Sequence, residues 1–212
     1  MSEKLGKIAD GLLAGNVDEV AKLTQELLDE GMDPEEVLQK GLFSGMEVVS
    51  KKFKDCEMFI PEVLRSAKAM HGAMEKLRPV LTEASSSKAG TVVMATVQGD
   101  LHDIGKNLAG MMMEGSGFNV IDMGIDQKTE DIVNAVKEHN PQILGLSALL
   151  TTTMPKMGEV INALKEAGIR DKVKIMIGGA PVTEDFAEEI GADAYAPNAS
   201  IGTEKALELV GA

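Results

Sequence analysis

The residues best suited to chemistry are an aspartate and a histidine two positions apart, Asp100 and His102, within segment 98–107. In an extended or turning loop, this spacing can place the carboxylate against one imidazole nitrogen while the other nitrogen faces outward. A carboxylate on one nitrogen fixes the tautomer of the ring, an arrangement typical of a metal-bound histidine. Gly99 and Gly105 flank the pair and would let the backbone pass close to a bulky ligand. Taken alone, the Asp-x-His spacing also fits a histidine that merely bridges a loop.

The second part of the chain must position this pair, and it alternates between strand and helix patterns. A continuous β-branched and apolar run at 91–97 predicts a strand that is buried on both faces. Further strands are predicted at 118–123, 143–147, 173–177 and 194–196, with helices at 106–115, 129–139, 154–167, 183–190 and 201–210. Five strand–helix repeats predict an α/β domain, a five-stranded parallel sheet covered by helices on both faces. The length favours the flavodoxin-like (Rossmann-type) strand order 2-1-3-4-5.

Ligands of an open parallel sheet bind beyond the carboxyl ends of the strands, where the strand order reverses. Three segments rich in glycine and polar residues follow predicted strands at those ends: 98–107, 147–153 and 178–181. We therefore expect these segments to meet at one edge of the sheet. Their convergence makes the Asp100–His102 pair a stronger candidate site than its spacing alone.

The first part of the chain, residues 1–83, reads as helix almost throughout, because apolar residues recur at three- and four-residue spacing. Asn16 is predicted to cap a helix that runs to about residue 30. Asp33 followed by Pro34 is a helix start signal, and that helix is predicted to reach about Phe53. With a short N-terminal helix and a last one from near residue 61, these elements predict a four-helix cap bundle. A linker at 84–90 would divide it from a second domain at 91–212.

Composition excludes several classes of function. The 212 residues include 21 basic and 34 acidic ones, and a formal net charge of −13 opposes the basic surface that nucleic-acid binding requires. No stretch of 18 uncharged apolar residues occurs, so no membrane span is predicted. The single cysteine, Cys56, excludes a disulfide framework or a cysteine-rich metal cage.

The N-terminus shows no apolar signal core, so we expect a cytoplasmic protein. The 14 methionines are expected mainly to fill the core.

The segments that carry the polar residues resemble cobalamin-binding domains. Segment 99–107 (Gly-Asp-Leu-His-Asp-Ile-Gly-Lys-Asn) resembles their lower-ligand loop, and segment 145–151 (Gly-Leu-Ser-Ala-Leu-Leu-Thr) resembles the lining of their nucleotide-tail pocket. Segment 178–180 (Gly-Gly-Ala) resembles their tail-flanking turn. Phe53 with segment 58–63 (Met-Phe-Ile-Pro-Glu-Val) resembles the cap helices of the methionine-synthase cobalamin module. A stand-alone chain of this size is most similar to the corrinoid methyl carriers of anaerobic methyltransferase systems.

The resemblance implies that the chain binds cobalamin or a related corrinoid in the base-off/His-on form. His102 would replace the dimethylbenzimidazole of the cofactor as the lower ligand of cobalt and would be the one protein ligand of the metal. Asp100 would hydrogen-bond the other nitrogen of that ring. Family members commonly extend the pair to a serine, and the matching position here is Thr153, which keeps the hydroxyl and adds a methyl group.

The resemblance also implies where the rest of the cofactor is held. Phe53 and Ile60 align with apolar residues that cover the methyl face of the corrin, and Gln39 lies near the upper ligand site of the family's cap. The remaining cofactor-binding residues implied by the resemblance are Gly99, Leu101, Asp103, Ile104, Gly105, Ser147, Leu149, Thr151, Gly178, Gly179, Asn198 and Ala199. Segment 84–88 would be the hinge that lets the cap move aside for partner enzymes.

The function implied by the resemblance is to carry a methyl group on cobalt. A substrate-specific partner methyltransferase would load it from methanol, a methylamine, a methoxylated aromatic or a betaine. A second methyltransferase would pass it to a thiol or tetrahydropterin acceptor, and a reductive activator is a further expected partner. The chain would then be a corrinoid subunit that is not catalytic without these partners.

Other classes of protein remain to be compared with this interpretation. A cobalamin-binding subunit of a radical mutase shares the histidine loop but usually lacks the helical cap, and a cobalamin-dependent sensor adds a DNA-binding helix-turn-helix for which we expect no room. A signalling receiver needs an aspartate after the third strand and a lysine after the fifth, where this chain has Ser147 and then Pro197. A simple metal hydrolase built on Asp100, His102 and Asp103 lacks a second histidine beside them.

Overall fold

The computed structural model describes residues 2–77, 79–81 and 89–211 of the chain. Two compact units are found: one drawn from residues 1–88 together with 114–117, and one from residues 89–113 and 118–212. The predicted hinge at 84–88 lies outside the described residues, whereas Gly90, the last residue of the linker predicted at 84–90, begins the first strand. The domain boundaries predicted from the sequence therefore stay predictions.

The helical unit contains two helices that precede a long, interrupted one, and then a fourth. Its elements are α1 (Ser2–Ala14), α2 (Val17–Asp29), α3 (Pro34–Glu36), a π-helical segment (Val37–Phe43), α4 (Ser44–Lys54) and α5 (Ile60–Leu77). The helix start at Asp33 is confirmed, because its carboxylate accepts a hydrogen bond from the Glu35 N–H at 3.1 Å. Asn16 occupies the N-cap position of α2, as predicted, but its side chain makes no capping bond and its amide donates to Glu19 instead.

The core of this unit is aliphatic and is supplied by every long helix. Its largest fully buried side chains are Ile8, Leu12, Leu27, Leu38, Leu42, Met46 and Leu77. From residue 34 to residue 54 the chain is continuously helical, as predicted, but its middle third is wound as a π-helix. Such wider turns are rare in proteins and are frequent at functional sites.

The second unit is the predicted parallel sheet. Its strands are β1 (Gly90–Thr96), β2 (Phe118–Asp122), β3 (Ile143–Ser147), β4 (Lys174–Gly178) and β5 (Ala194–Ala196), and all pair in parallel in the order β2-β1-β3-β4-β5. The helices between and after them are α6 (Ile104–Gly115), α7 (Thr129–His139), α8 (Pro155–Glu166), α9 (Glu184–Ile190) and α10 (Ala199–Val210), with a short 3₁₀ turn at Arg170–Lys172. The fold class and strand order predicted from the sequence are confirmed.

The two faces of the sheet are packed differently. One face carries a large aliphatic core in which the strand residues Val93, Leu144 and Ile175 pack with helix residues such as Met157 and Ile161. The other face carries a smaller cluster, built on Val92, Met94, Met113, Phe118, Ile143 and Met176. Successive side chains along a strand point to opposite faces of the sheet. The second face therefore also carries the small residues that lie two positions further along these strands. Within the described part of the chain, no helix is both long and apolar enough to cross a membrane.

Candidate functional site

The loop between β1 and α6 carries the pair singled out from the sequence. The Asp100 side chain is completely buried, and its Oδ1 lies 2.7 Å from His102 Nδ1. The same oxygen accepts a hydrogen bond from the His102 backbone N–H at 3.1 Å. The imidazole is half exposed, and among the described residues its Nε2 has no hydrogen-bond partner. The pair therefore presents one free ring nitrogen outward, on a side chain whose orientation is fixed from behind.

The second carboxylate oxygen of Asp100 is held from the loop that follows β3. Its Oδ2 accepts hydrogen bonds from the Leu149 N–H at 2.7 Å, the Leu150 N–H at 3.2 Å and the Thr153 hydroxyl at 2.6 Å. Burial of Asp100 raises its pKa, but these donors and His102 outweigh that effect and leave the pKa well below its usual range. Asp100 is therefore a carboxylate at neutral pH, with both oxygens fully used.

Two residues that the sequence analysis missed hold the histidine loop from below. The Thr96 hydroxyl, fully buried at the end of β1, donates to the His102 carbonyl at 3.0 Å. The Asp126 carboxylate accepts a hydrogen bond from the Gly99 N–H at 2.7 Å. The backbone N–H of Asp126 donates to the Asp100 backbone carbonyl at 3.0 Å. Gly99 has a φ of +84°, a conformation that side chains other than hydrogen disfavour. These contacts fix the backbone on which the imidazole stands.

A buried lysine ties the start of α6 to the end of β2. Lys106 has a side chain only 1% exposed, and its ammonium donates to Asp122 at 2.5 Å and to Asn107 at 2.7 Å. The Asn107 amide in turn donates to Asp103 at 3.1 Å. The sequence signal for this contact was a lone lysine near the start of a helix whose other residues are mostly apolar or small. Because α6 begins directly after the histidine loop, this network limits the movement of the loop.

A cavity of about 500 Å³ opens beside His102 at the carboxyl ends of β1, β3 and β4. Eleven of the residues implied by the resemblance line it: Leu101, His102, Asp103, Ile104, Gly105, Ser147, Leu149, Gly178, Gly179, Asn198 and Ala199. Gly99, Asp100 and Thr153 lie behind this lining and support it, as described above. Thr151 is exposed in the turn after β3 and does not line the cavity.

Glycine is required where the cavity wall passes close to neighbouring backbone. Gly179 has a φ of +126°, and a Cβ there would lie 1.9 Å from the Ala148 carbonyl oxygen. A Cβ at Gly178 would lie 2.9 Å from the Ala196 carbonyl oxygen. Both approaches are too short for any side chain, so the turn after β4 needs this pair of glycines.

The surface around His102 is apolar, although it is exposed. Leu101 and Ile104 are 67% and 71% exposed, and Leu149 and Leu150 are each about 40% exposed. Such a cluster is unusual on a free surface and indicates a place where an apolar group docks. Within the described ranges, no group of three or more His, Cys, Asp or Glu side chains is arranged to hold a metal ion. One outward imidazole ringed by apolar side chains suits a metal that carries its other ligands in a large, flat macrocycle.

The remaining implied residues belong to the helical unit. Phe53 is half-buried near the end of α4, and Ile60 is 45% exposed at the start of α5. Phe59, to which the sequence analysis gave no role of its own, is 67% exposed. Gln39 lies in the π-helical segment; its Nε2 is buried and finds no hydrogen-bond partner among the described residues. An unpartnered buried donor is costly, so this atom is a candidate for contact with a ligand.

Comparisons with known proteins match both units. A family model described as a B12 binding domain matches residues 90–201, and a second model with the same description matches residues 5–78. The chain is 43% identical to dimethylamine corrinoid protein 1 of Methanosarcina acetivorans over 209 residues, which covers 98% of each chain.

Solved structures give the same result. A cobalamin-binding protein from Desulfitobacterium hafniense matches with a TM-score of 0.78 and 35% identity, over 97% of this chain and 98% of that chain. A chain of the methanol:cobalamin methyltransferase complex from Methanosarcina barkeri matches with a TM-score of 0.90 and 32% identity, over 99% of this chain and 80% of that one. The likeness therefore extends over the helical unit as well as the sheet.

Proposed function

This chain belongs to the corrinoid proteins with B12-binding domains, and we propose that it carries a methyl group on the cobalt of a bound corrinoid between two methyltransferases. The observation that carries the proposal is the outward, unpartnered Nε2 of His102, fixed by a buried carboxylate and surrounded by exposed apolar side chains. The match of a B12-binding-domain model to residues 5–78 favours a methyl carrier over the radical-mutase alternative, in which a helical cap is usually absent.

The residues present fit the cofactor in its base-off/His-on form. His102 Nε2 would be the lower ligand of cobalt, and the cavity at the ends of β3 and β4 would take the displaced nucleotide tail; the outward ring nitrogen and the cavity beside it support both assignments. When bound, the corrinoid supplies a cobalt centre that takes up and releases a methyl group.

The task of Asp100 is to hold the proton of the imidazole on Nδ1. Because its pKa is well below the usual range, the carboxylate stays ionised and accepts from Nδ1–H, which leaves the Nε2 lone pair directed outward. The Thr153 hydroxyl and the Leu149 N–H hold the carboxylate in turn. We therefore assign Asp100 and Thr153 as positioning residues for His102.

The helical unit is assigned as the cap over the opposite, methyl-carrying face of the corrin. Phe53, Phe59 and Ile60 offer apolar surface that would shield the cobalt from water and oxidants. Gln39, with its unpartnered buried amide nitrogen, is assigned a place near the upper ligand. The cap must move aside when a partner enzyme reaches the cobalt.

The partners follow from the carrier role. Relatives of this chain include dimethylamine and trimethylamine corrinoid proteins, and one similar structure is part of a methanol:cobalamin methyltransferase complex. We propose that the methyl donor is a small methylated amine or alcohol that a dedicated methyltransferase presents. A second methyltransferase would deliver the methyl group to a thiol or tetrahydropterin acceptor, a reductive activator would restore oxidised cobalt, and all of them would act in the cytoplasm.

The test is an anaerobic visible spectrum of purified protein that has been loaded with hydroxocobalamin and freed of unbound cofactor. We expect a retained, stoichiometric corrin band with the signature of a nitrogen lower ligand. His102→Ala should retain corrin through the tail cavity but lose that signature, whereas His139→Ala, which removes an exposed histidine at the end of α7, should leave it unchanged. An unchanged spectrum in His102→Ala contradicts the ligand assignment. A folded protein that retains no corrin contradicts the proposed cofactor.

A further inference from the structure

We propose that the cavity beside His102 selects corrinoids whose lower base is an apolar benzimidazole over corrinoids whose lower base is a purine. This inference rests on the proposed function, because it takes the displaced nucleotide tail to enter this cavity. It goes further in naming the chemical class of tail that the chain accepts. The selectivity arises from three properties of the lining: its volume, the lack of free polar groups at its inner end and its methionines.

The volume comes from small residues in register across the sheet. Gly145 of β3 lies between Met94 of β1 and Met176 of β4 in one row of cross-strand neighbours. In the next row toward the carboxyl edge, Ser147 is followed by Gly178 and Ala196. On the facing helices the lining includes Ala109, Met113 and Gly202. The glycines and alanines in these rows and on the facing helices leave a cavity of about 500 Å³. This volume lies within the range of about 300 to 1,000 Å³ that is typical of ligand pockets, so it can take a bicyclic base.

Polar groups near the cavity are already bonded or lie toward its mouth. The Lys106 ammonium is directed to Asp122 and Asn107. Asn198, whose Oδ1 accepts from the Ile201 N–H at 2.9 Å, lies beyond the carboxyl end of β5 and so near the mouth. Ser147 lies two residues closer to the carboxyl edge than Gly145, so its hydroxyl serves the entrance rather than the inner end. The backbone amides of β1, β3 and β4 pair within the plane of the sheet.

The inner end of the cavity therefore offers a base only carbon and sulfur. A purine carries an exocyclic amine and additional ring nitrogens, and each of these groups would lose water there without gaining a partner. The outer edge of a benzimidazole carries carbon and, in cobalamin, two methyl groups. An apolar pocket rejects a polar analogue of similar shape by roughly 100-fold at most, so we expect a preference of about 10- to 100-fold.

Methionine makes the same pocket tolerant of apolar differences. Met94, Met113 and Met176 are all at least 95% buried, and a Cβ placed on Gly145 would lie 3.5 Å from Met94 Cγ and Cε. An unbranched thioether can adopt several rotamers and fill an irregular gap. We therefore expect benzimidazoles with different ring substituents to bind within about 10-fold of one another, since the methionines can move around them.

The experiment measures the affinities of the full chain for cobalamin and for its adenine-tailed analogue by ultrafiltration and corrin absorbance. Each affinity is corrected for the base-off fraction of the free corrinoid, because only that form fits the cavity. The corrected ratio should favour cobalamin by about 10- to 100-fold. Met176→Gln puts an amide of similar length in the same row and should reduce the ratio by about 10-fold, whereas Met176→Leu should keep it within about threefold. Should Met176→Gln lack the native circular dichroism spectrum, Ala109→Ser, which adds a hydroxyl from α6, takes its place.

The outcomes separate the two proposals. Retention of both corrinoids with equal or tighter binding of the adenine form overturns this inference and leaves the proposed function intact. The inference is also overturned if the polar variant leaves the ratio unchanged, because the lining is then not what selects the base. Failure to retain any corrinoid overturns the proposed function and this inference together.

Discussion

Around Asp100 the edge of the sheet is polar and heavily cross-bonded, whereas the cavity that begins at Gly145 is apolar and loosely filled, although both lie on the same few strands. Asp100 accepts five hydrogen bonds, two from His102 in its own loop and three from the loop that follows β3. The cavity lining next to it holds three methionines and a series of glycines and alanines. The hydrogen bonds around Asp100 hold its side chain in a single arrangement, whereas the methionines that line the cavity can adopt several.

The difference reflects what each region is proposed to do. A ring nitrogen that binds a metal must keep its position and its tautomer, so its supports are charged, short and buried. A pocket that encloses a nucleotide tail needs volume and the right polarity, and flexible side chains provide both without fixing one shape. Substitutions in each region separately test whether the two regions differ in this way.

The largest effect is expected from Asp100→Asn, which replaces an acceptor-only carboxylate by an amide with two donors. The new N–H groups would face the donors that now bind the carboxylate, so buried groups would be left unsatisfied. We expect the free energy of unfolding to fall by about 3 to 5 kcal/mol. Urea unfolding of the cofactor-free protein, followed by circular dichroism, measures this as a lower midpoint with an unchanged slope.

Low pH should reduce the difference in unfolding free energy between the unmodified protein and the Asp100→Asn variant. Burial raises the Asp100 pKa, but the hydrogen bonds from Thr153, Leu149 and His102 lower it more, so the folded-state pKa lies below the unfolded value of about 4. A lowered carboxyl pKa stabilises the fold above about pH 4, and that stabilisation is lost as the pH falls further. The difference in unfolding free energy should therefore be constant from about pH 7 to 5 and shrink toward pH 3. A difference that does not depend on pH would show that the carboxylate charge is not what stabilises the loop.

A smaller effect should distinguish the two faces of the sheet. Met94→Ala removes a side chain that borders an existing cavity, whereas Met157→Ala removes one from the packed core of the opposite face, where it is fully buried. Removing a methionine from a packed core costs about 2 to 5 kcal/mol. We expect Met94→Ala to cost about 1 to 2 kcal/mol less, because its side chain has fewer partners to lose. Urea midpoints of the two variants, measured under identical conditions, decide the question. Equal costs would mean that the cavity wall is as tightly packed as the core.

The strand order and the histidine loop could be predicted because they depend on local pattern. The apolar run of β1 and the strand–helix repeats fix the sheet, and the spacing of Asp100 and His102 places the two side chains within reach of each other. The π-helical segment could not be predicted from the same patterns. Over seven residues, the spacing of apolar residues does not distinguish a π-helix from an α-helix.

The supports of the loop could not be predicted either, for a different reason. Asp126 meets Gly99 across 27 positions of sequence, and the Leu149 N–H reaches Asp100 across 49. Those contacts depend on the register of β1 against β2 and β3. The hydrophobic pattern shows which face of the sheet a residue occupies, but it does not show which residue of the neighbouring strand lies beside it. Thr96 shows the limit most clearly, since a single threonine at a strand end has no signal that identifies its partner as the His102 carbonyl.

The smallest effect is expected at Thr153, which bonds Asp100 through its hydroxyl and carries a methyl group beside it. The hydroxyl donates to the Asp100 carboxylate at 2.6 Å, so Thr153→Val, which keeps the shape and removes the donor, should cost about 1.5 kcal/mol. This is the low end for a hydrogen bond to a charged group, because the Leu149 and Leu150 N–H groups still bind the same oxygen. Thr153→Ser keeps the donor and removes only a methyl group, so it should cost less than Thr153→Val and leave the nitrogen-ligated corrin spectrum unchanged. The methyl group lies 3.6 Å from where a Cβ on Gly99 would be, so it packs over the histidine loop without bonding to it. Urea midpoints together with the spectra of the loaded variants test the order. If Thr153→Ser is the more damaging change, packing of the methyl group rather than the hydrogen bond holds Asp100 in place.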